Sequence, residues 1–364
     1  MRMNRFIPTI AVGLLLPFAA WAQGPPLNQL PATTPALGDP AKKVEEPPTD
    51  AEKTIDKAIA KVKVLKSVSA DVTQKVDMLK EKFEVTGLYL RAPGDRIYLK
   101  LAVSTPTDSA ATMLQVCDGK VLWDYNQVLD SQSFRKLDIL QIRKKLTDPI
   151  LDDAARERVL AQIGFTGPEE MLVGLRSSVK FNQKADAEFE GHKVWVIRGQ
   201  WKSVLGLTGP GQQPLSPTTP LPPYIPSNIA VTIDQETGWP YKVEMLGNTP
   251  SLLQEDVRRI GLDGRPVGAK SAVPRVEPSR IVLMYSNVKL NPDLKPETFA
   301  FDAPRDAKNL VDGTDALLNY LDQIIQLETG RKRAEAAKAD PLLGGSLEIP
   351  KTAPPIEPPP APPK

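Results

Sequence analysis

The strongest constraint on this chain is an apolar/polar alternation with a period of two, interrupted by turn residues at short intervals. It is clearest around Val116–Asn126, where Asp118-Gly119 opens into Val121, Trp123 and Tyr125 alternating with Leu122 and Asp124. Gly accepts positive φ without steric cost and Asp can hydrogen bond the local backbone, so the pair predicts a tight hairpin turn between Met113–Cys117 and the aromatic strand. The same period marks strands at Val68–Val76, Phe83–Tyr89 and Ile97–Val103, the last two joined by the turn Pro93-Gly94-Asp95. Further strands are expected at 179–183, 187–190, 194–201, 228–234, 241–246 and 280–290, and Phe299 with Phe301 predicts a last short one. About eleven strands imply a strongly curved antiparallel sheet or incomplete barrel rather than a compact sandwich.

Helical signals enter in three places. Ala51–Lys66 carries Ala58, Val62 and Leu65 on one stripe and contains no Gly or Pro, which predicts a helix leading into the first strand. Residues 138–177 interrupt the strands: a helix capped near Asp148 or Asp152 should run to Ile163 and end at Gly164. A second should start at Thr166-Gly167-Pro168-Glu169, either through a Thr-to-Glu capping box or with Pro at the first helical position. Met171, Leu172 and Leu175 form its apolar stripe. The third helix, Asp312–Lys338, carries Leu317, Leu318, Tyr320, Leu321, Ile324 and Ile325 before Arg331-Lys332-Arg333; docking on its own domain is the expectation, with binding a partner helix or lying on a membrane surface as the alternatives.

Proline sets the outer limits of the folded part. Of the 37 prolines, 23 fall within 23–50, 209–226 and 339–364, where a residue without an amide donor and with fixed φ favours extended chain over sheet interior. Ahead of them, Arg2 and Arg5 precede an apolar run from Phe6 to Ala20, and Ala20-Trp21-Ala22 offers a small-x-small cleavage pattern. The expected organisation is a signal peptide over 1–22 cleaved after Ala22, a Pro-rich linker over 23–50 and a folded domain over 51–310 with a Pro-rich loop at 202–228. A C-terminal helix over 311–338 and a Pro-rich tail over 339–364 complete it. Export to the periplasm or beyond follows as an expectation.

Enzymatic chemistry finds little support. His192 is the only histidine and follows Gly191 in an expected hairpin turn; Cys117 is the only cysteine, so neither an intramolecular disulfide nor a Cys/His zinc site can be assembled. No Gly-x-Ser-x-Gly elbow is present, and Asp152-Asp153 and Glu169-Glu170 stand where helix starts favour negative charge. No cofactor is expected. A net charge of +2 gives no reason to expect nucleic acid as a partner.

Four segments in order, Lys66–Val76, the turn at Pro93, Val116–Asn126 and Phe299-Ala-Phe-Asp-Ala-Pro304, resemble the LolA family of periplasmic lipoprotein carriers. The resemblance implies an incomplete β-barrel covered by helices, whose apolar cavity holds acyl chains of a lipoprotein or lipid. It names an inner-membrane transporter and an outer-membrane acceptor as partners, with peripheral contact to a membrane. It also implies a lid built on Met171, Leu172 and Leu175, with Trp123 and Tyr125 lining or rimming the cavity. Family members often carry Arg directly before the turn proline, associated with lid gating, whereas this chain has Arg91-Ala92-Pro93. Alternation then directs Arg91, the nearest gating candidate, to the face opposite position 92 unless a bulge intervenes. The same fold resembles that of envelope-stress sensors, which add a second C-terminal domain, and it can equally serve as a scaffold for protein partners. Only 63 residues follow Phe301, fewer than such a domain needs.

Overall fold

The computed structural model describes residues 47–78, 81–104, 111–153, 156, 159–160, 163–165, 167–202, 221, 225–248, 277–302 and 309–339. The expected signal peptide, most of the linker, the Pro-rich loop and the tail lie outside them. Twelve strands form one sheet: β1 (Val68–Met78), β2 (Glu81–Ala92), β3 (Arg96–Ser104), β4 (Ala111–Asp118), β5 (Val121–Val128), β6 (Ser131–Asp138), β7 (Val179–Phe189), β8 (His192–Trp201), β9 (Pro226–Asp234), β10 (Pro240–Gly247), β11 (Arg280–Leu290) and β12 (Leu310–Asp312). Their order is β12-β6-β5-β4-β3-β2-β1-β11-β10-β9-β8-β7, so the sheet stays open between β12 and β7. Every pairing is antiparallel except β12 with β6. Helices α1 (Asp50–Lys63), α2 (Ile139–Leu146), α3 (Pro168–Ser178) and α4 (Thr314–Ala339) complete the described elements.

The predicted meander is present, with three corrections. Residues 179–183 and 187–190 form one strand, β7, whose irregularity between Phe181 and Gln183 breaks the pattern that separated them. Strands β6 and β12 went unread because one begins Ser-Gln-Ser and the other has three residues, leaving no usable alternation. Phe299 ends a 3-10 turn over Pro296–Phe299 instead of opening a strand. Pro296 sets its first turn, and Phe299 is buried against Leu90 and Ala92 on the outer face of β2.

Local chemistry explains the turns and caps. At the β4–β5 hairpin, Gly119 has φ +92° and a Cβ there would lie 2.4 Å from the Gly94 carbonyl oxygen, so only glycine fits. The Asp118 carboxylate accepts from the Lys120 and Val121 amides at 2.7 and 2.8 Å. Helix α1 starts in a capping box: Thr49 Oγ1 accepts from the Glu52 amide at 3.1 Å and the Glu52 carboxylate accepts from the Thr49 amide at 3.0 Å. The Thr49 hydroxyl also donates to the Phe181 carbonyl at 2.6 Å, tying this cap to β7.

One face of the sheet carries Val68, Ala70, Val72 and Val76 of β1, Val85 and Tyr89 of β2, Ile97, Leu99 and Leu101 of β3, and their counterparts on the other strands. All four helices pack on that face in a single continuous core. Helix α4 buries Leu317, Leu321 and Ile324 there, so the expected docking on its own domain is observed. Asp138 caps α2 through the Gln141 amide at 2.9 Å, and the Asp138 amide donates to Thr314 Oγ1, fixing the starts of α2 and α4 side by side. No described helix is long and apolar enough to cross a membrane.

Candidate functional site

Helix α1 runs from β7, where Thr49 bonds the Phe181 carbonyl, to the β9–β10 turn, where Gly238 packs on Ala58 and Lys61, and α3 lies beside it with Gly167 against Tyr89 of β2. Met171, Leu172 and Leu175 are all buried there, so the stripe read from sequence is the face that α3 turns to the sheet. The helix begins with Pro168 at its first position and Gly167 as N-cap, without a side-chain cap, so the proline alternative is observed; Thr166, the cap of the other alternative, lies outside the described residues. Gly167 has a packing reason: a Cβ there would stand 2.7 Å from Tyr89 Oη and 2.8 Å from Glu170 Oε2. Arg176 ties α3 to α1 through Asp56 at 2.9 Å and Glu52 at 3.4 Å, so the two helices form one cover.

Arg91 sits under this cover. It stands opposite Val68 on one side and Ile97 on the other, both inner-face residues. Its Nη1 donates to Glu169 Oε2 at 2.9 Å, and its Nη2 donates to the Val62 and Leu65 carbonyls at 2.6 and 3.2 Å. One guanidinium therefore holds the first turn of α3 and the last turn of α1, using both arms of its fork. Ala92 does point the other way, into the outer cluster with Leu90 and Phe299. The alternation argument was correct about opposite faces; the structure shows that the residue facing the helices is Arg91.

Trp123 and Tyr125 are placed differently from the expectation. On β5 the inner-face residue is the fully buried Leu122, and alternation puts Trp123 and Tyr125 on the outer face. There Trp123 packs on Phe301 with ring centroids 5.8 Å apart, and Tyr125 on Phe134 at 4.9 Å. Neither lines the space between sheet and helices. Alternation sets a period but not a sidedness, and an aromatic strand satisfies both assignments equally.

Several polar groups that the sequence reading did not single out lie on the helix-covered side of the sheet. Gln74 is 5% exposed in a row otherwise made of Val68, Ala70, Val72 and Val76. Trp239 is fully buried at the end of the β9–β10 turn, stacked edge-on against Tyr285 with centroids 5.6 Å apart. Gly238, beside it, is packed against Ala58 and Lys61 of α1. Burial raises the phenol of Tyr285, and also that of Tyr89, well above the usual range, with the Glu170 charge adding to both. Glu170 itself keeps an exposed surface but turns its carboxyl back over Gly167 into a walled recess, where loss of hydration pushes its pKa up to about 7. The detectable signal was a glutamine in register with four apolar residues.

His192 and Cys117 are structural. His192 stacks on Tyr241 at 5.0 Å with Nδ1 3.6 Å from Asp234 Oδ2, and follows a turn in which Glu190 and Gly191 both have positive φ. Cys117 is buried, accepts from the Gly119 amide at 3.4 Å, and has its thiol pushed up to about 12 by desolvation, which removes thiolate character.

No protein-family profile and no curated protein matches the chain. Among solved structures, the MucA/MucB complex of Pseudomonas aeruginosa is similar at 8% identity and a TM-score of 0.30, covering 70% of this chain and 62% of that one. An outer membrane lipoprotein-sorting protein domain from Vibrio parahaemolyticus is similar at 13% identity and a TM-score of 0.27, over 68% of this chain and 95% of that one. A LolA superfamily protein from Nitrosomonas europaea is similar at 14% identity and a TM-score of 0.24, over 69% and 97%. These likenesses concern fold and decide nothing about function. The open sheet with helices on one face is the architecture that the LolA resemblance implied.

Proposed function

We propose that the protein is a non-enzymatic envelope carrier that binds acyl chains of lipoproteins or lipids between the sheet and the α1/α3 cover. The observation that carries this reading is the Arg91 clasp. Arg91 and Glu169 are 15% and 21% exposed, and desolvating such a pair offsets much of its attraction, so a permanently packed helix would be held as well by apolar contacts. A polar clasp on an apolar cover suits a helix that must close in one state and release in another.

Competition for one apolar surface supplies the mechanism. Burying a ~16-carbon chain contributes on the order of 13 kcal/mol at about 0.8 kcal/mol per methylene. Met171, Leu172 and Leu175 together, at roughly 1.5–3 kcal/mol each, offset a large part of it when they return to the sheet. Binding then remains favourable while release stays attainable. The lipoprotein transporter and acceptor of the envelope are the partners this role requires, and the periplasm its compartment.

Native mass spectrometry of protein purified from its own envelope tests the reading. Copurified lipoprotein or lipid is the expected result; protein that is consistently empty and takes up no acylated peptide in vitro contradicts it. Leu172→Arg places a charge where the chain would lie and should weaken uptake at least about tenfold with the β-sheet circular dichroism retained. Unchanged uptake would remove α3 from the site.

A further inference from the structure

The two ends of the sheet differ in what they leave open. At one end, β12 is only three residues long. At the other, β7 runs for eleven, is terminal in the strand order and pairs only with β8 among the described residues. Residues 182–188 of β7 are all exposed, and after the irregularity between Phe181 and Gln183 the strand is in regular register with β8 as far as Phe189. Such an edge presents a row of backbone N–H and C=O groups to any second strand, and proteins normally blunt it with charge, with a bulge or by keeping it short.

The charges on this edge are self-complementary. The stretch reads Gln183-Lys184-Ala185-Asp186-Ala187, so two copies set antiparallel about a two-fold axis at Ala185 place each Lys184 opposite the partner's Asp186. Sliding one copy by two residues puts Lys184 opposite Lys184 in one direction and Asp186 opposite Asp186 in the other. A slide of one residue turns the helix-covered face of one copy to the opposite side. Alternation sets Lys184 and Asp186 on the same face of the strand, and each is anchored there: Lys184 Nζ lies 2.6 Å from Asp50 Oδ2 of α1, and Asp186 Oδ1 accepts from Gln235 Nε2 at 2.9 Å. An ammonium has three donors and a carboxylate two oxygens, so both keep capacity for a partner across the edge. We infer that the β7 edge is a self-association surface, through which a second copy of this chain adds antiparallel with Ala185 on the two-fold axis and continues the sheet. The lysine that repels other edges is then the group that selects this register. The inference is independent of the carrier reading.

Sedimentation equilibrium of the full chain between about 5 and 500 µM, the range of a weak to moderate interface, should show a monomer–dimer equilibrium. Asp186→Lys sets lysine opposite lysine twice and should raise the dimer Kd at least about tenfold, as should Lys184→Glu with the opposite sign of charge. An equimolar mixture of the two variants should recover dimer, because each supplies the charge that the other lacks. Cys117 is the only native cysteine and is buried, so an added cysteine reports alone. Oxidation of Ala185→Cys should give a covalent dimer, since opposite residues of antiparallel strands stand about 4.5–5.5 Å apart, within reach of a disulfide. Gln183→Cys should link only when mixed with Ala187→Cys. A chain that stays monomeric over that range, as it would were its edge covered from within or by a different protein, overturns the inference. So does a dimer that tolerates Asp186→Lys, a mixture that recovers nothing, or Gln183→Cys linking to itself as readily as Ala185→Cys.

Discussion

Two glutamines on the inner face of the sheet, equally buried, have opposite surroundings. Gln115 on β4 donates to Asp124 Oδ1 and to the Gly164 carbonyl, both at 2.8 Å. Arg135 completes that network, reaching Asp124 Oδ2 at 2.7 Å and the Ile163 carbonyl at 2.9 Å, so the polar groups there bind the end of the helical stretch that closes at Gly164. Gln74 on β1 has an amide nitrogen with no partner among the described residues. Away from that strand, α2 and α4 bury Ile139, Ile142, Leu317, Leu321 and Ile324 in the core. The α1/α3 side is held by Arg91 through one ion pair and two backbone carbonyls. On the proposed carrier reading that cover lifts while α2 and α4 stay packed.

The largest effect should come from the α2/α4 side. Ile142→Ala, at a fully buried position, should lower global stability by about 2–5 kcal/mol in urea unfolding. A loss below ~1 kcal/mol would show that α2 is no more fixed than α3. On the clasped side, Arg91→Leu leaves Glu169 without its partner and takes one donor from the Val62 and Leu65 carbonyls, and should weaken closure of the cover by roughly 2 kcal/mol, discounted for partial exposure. Amide exchange over 50–63 and 168–178 should then accelerate about 30-fold with the urea midpoint nearly unchanged. A shift of the midpoint as large as that of Ile142→Ala would make the clasp an ordinary structural contact.

A smaller, pH-dependent effect sharpens the same comparison. Glu170 has its pKa raised from 4.5 to about 7 in the folded protein, so the native state holds the proton more strongly than the unfolded chain does. The closed cover is therefore favoured below pH 4.5 and loses that contribution as pH rises to 7 and beyond. Glu169, Arg91, Tyr89 and Tyr285 are the charged or titratable groups that bear on it. Exchange over 168–178 should quicken between about pH 5 and 7.5 after correction for intrinsic rates, and Glu170→Gln should flatten that dependence; exchange over 314–330 should not respond.

Much of the fold was legible because alternation survives wherever one face is buried and the other is not. Val68–Val76 and Ile97–Val103 read directly as strands, and Asp118-Gly119 and Pro168 announced a turn and a helix start that the structure contains. The site was legible only where a helix made it so: Met171, Leu172 and Leu175 share one stripe, and one stripe has one inside. A strand has two sides, and nothing local tells them apart, which is why Trp123 and Tyr125 were placed inward when they stack outside on Phe301 and Phe134. Arg91 was assigned by distance from a proline, whereas its role depends on α1 and α3, 26 to 78 residues away in sequence.

On the carrier reading, the α1/α3 cover opens to admit an acyl chain while the α2/α4 side stays closed. Hydrogen exchange measured by mass spectrometry, with and without a saturating acylated peptide, tests it most directly. Ligand should speed exchange over 50–63 and 168–178 and leave 139–146 and 314–330 unchanged. Equal protection of both covers in the liganded protein, or faster exchange at α2 and α4 instead, would contradict it.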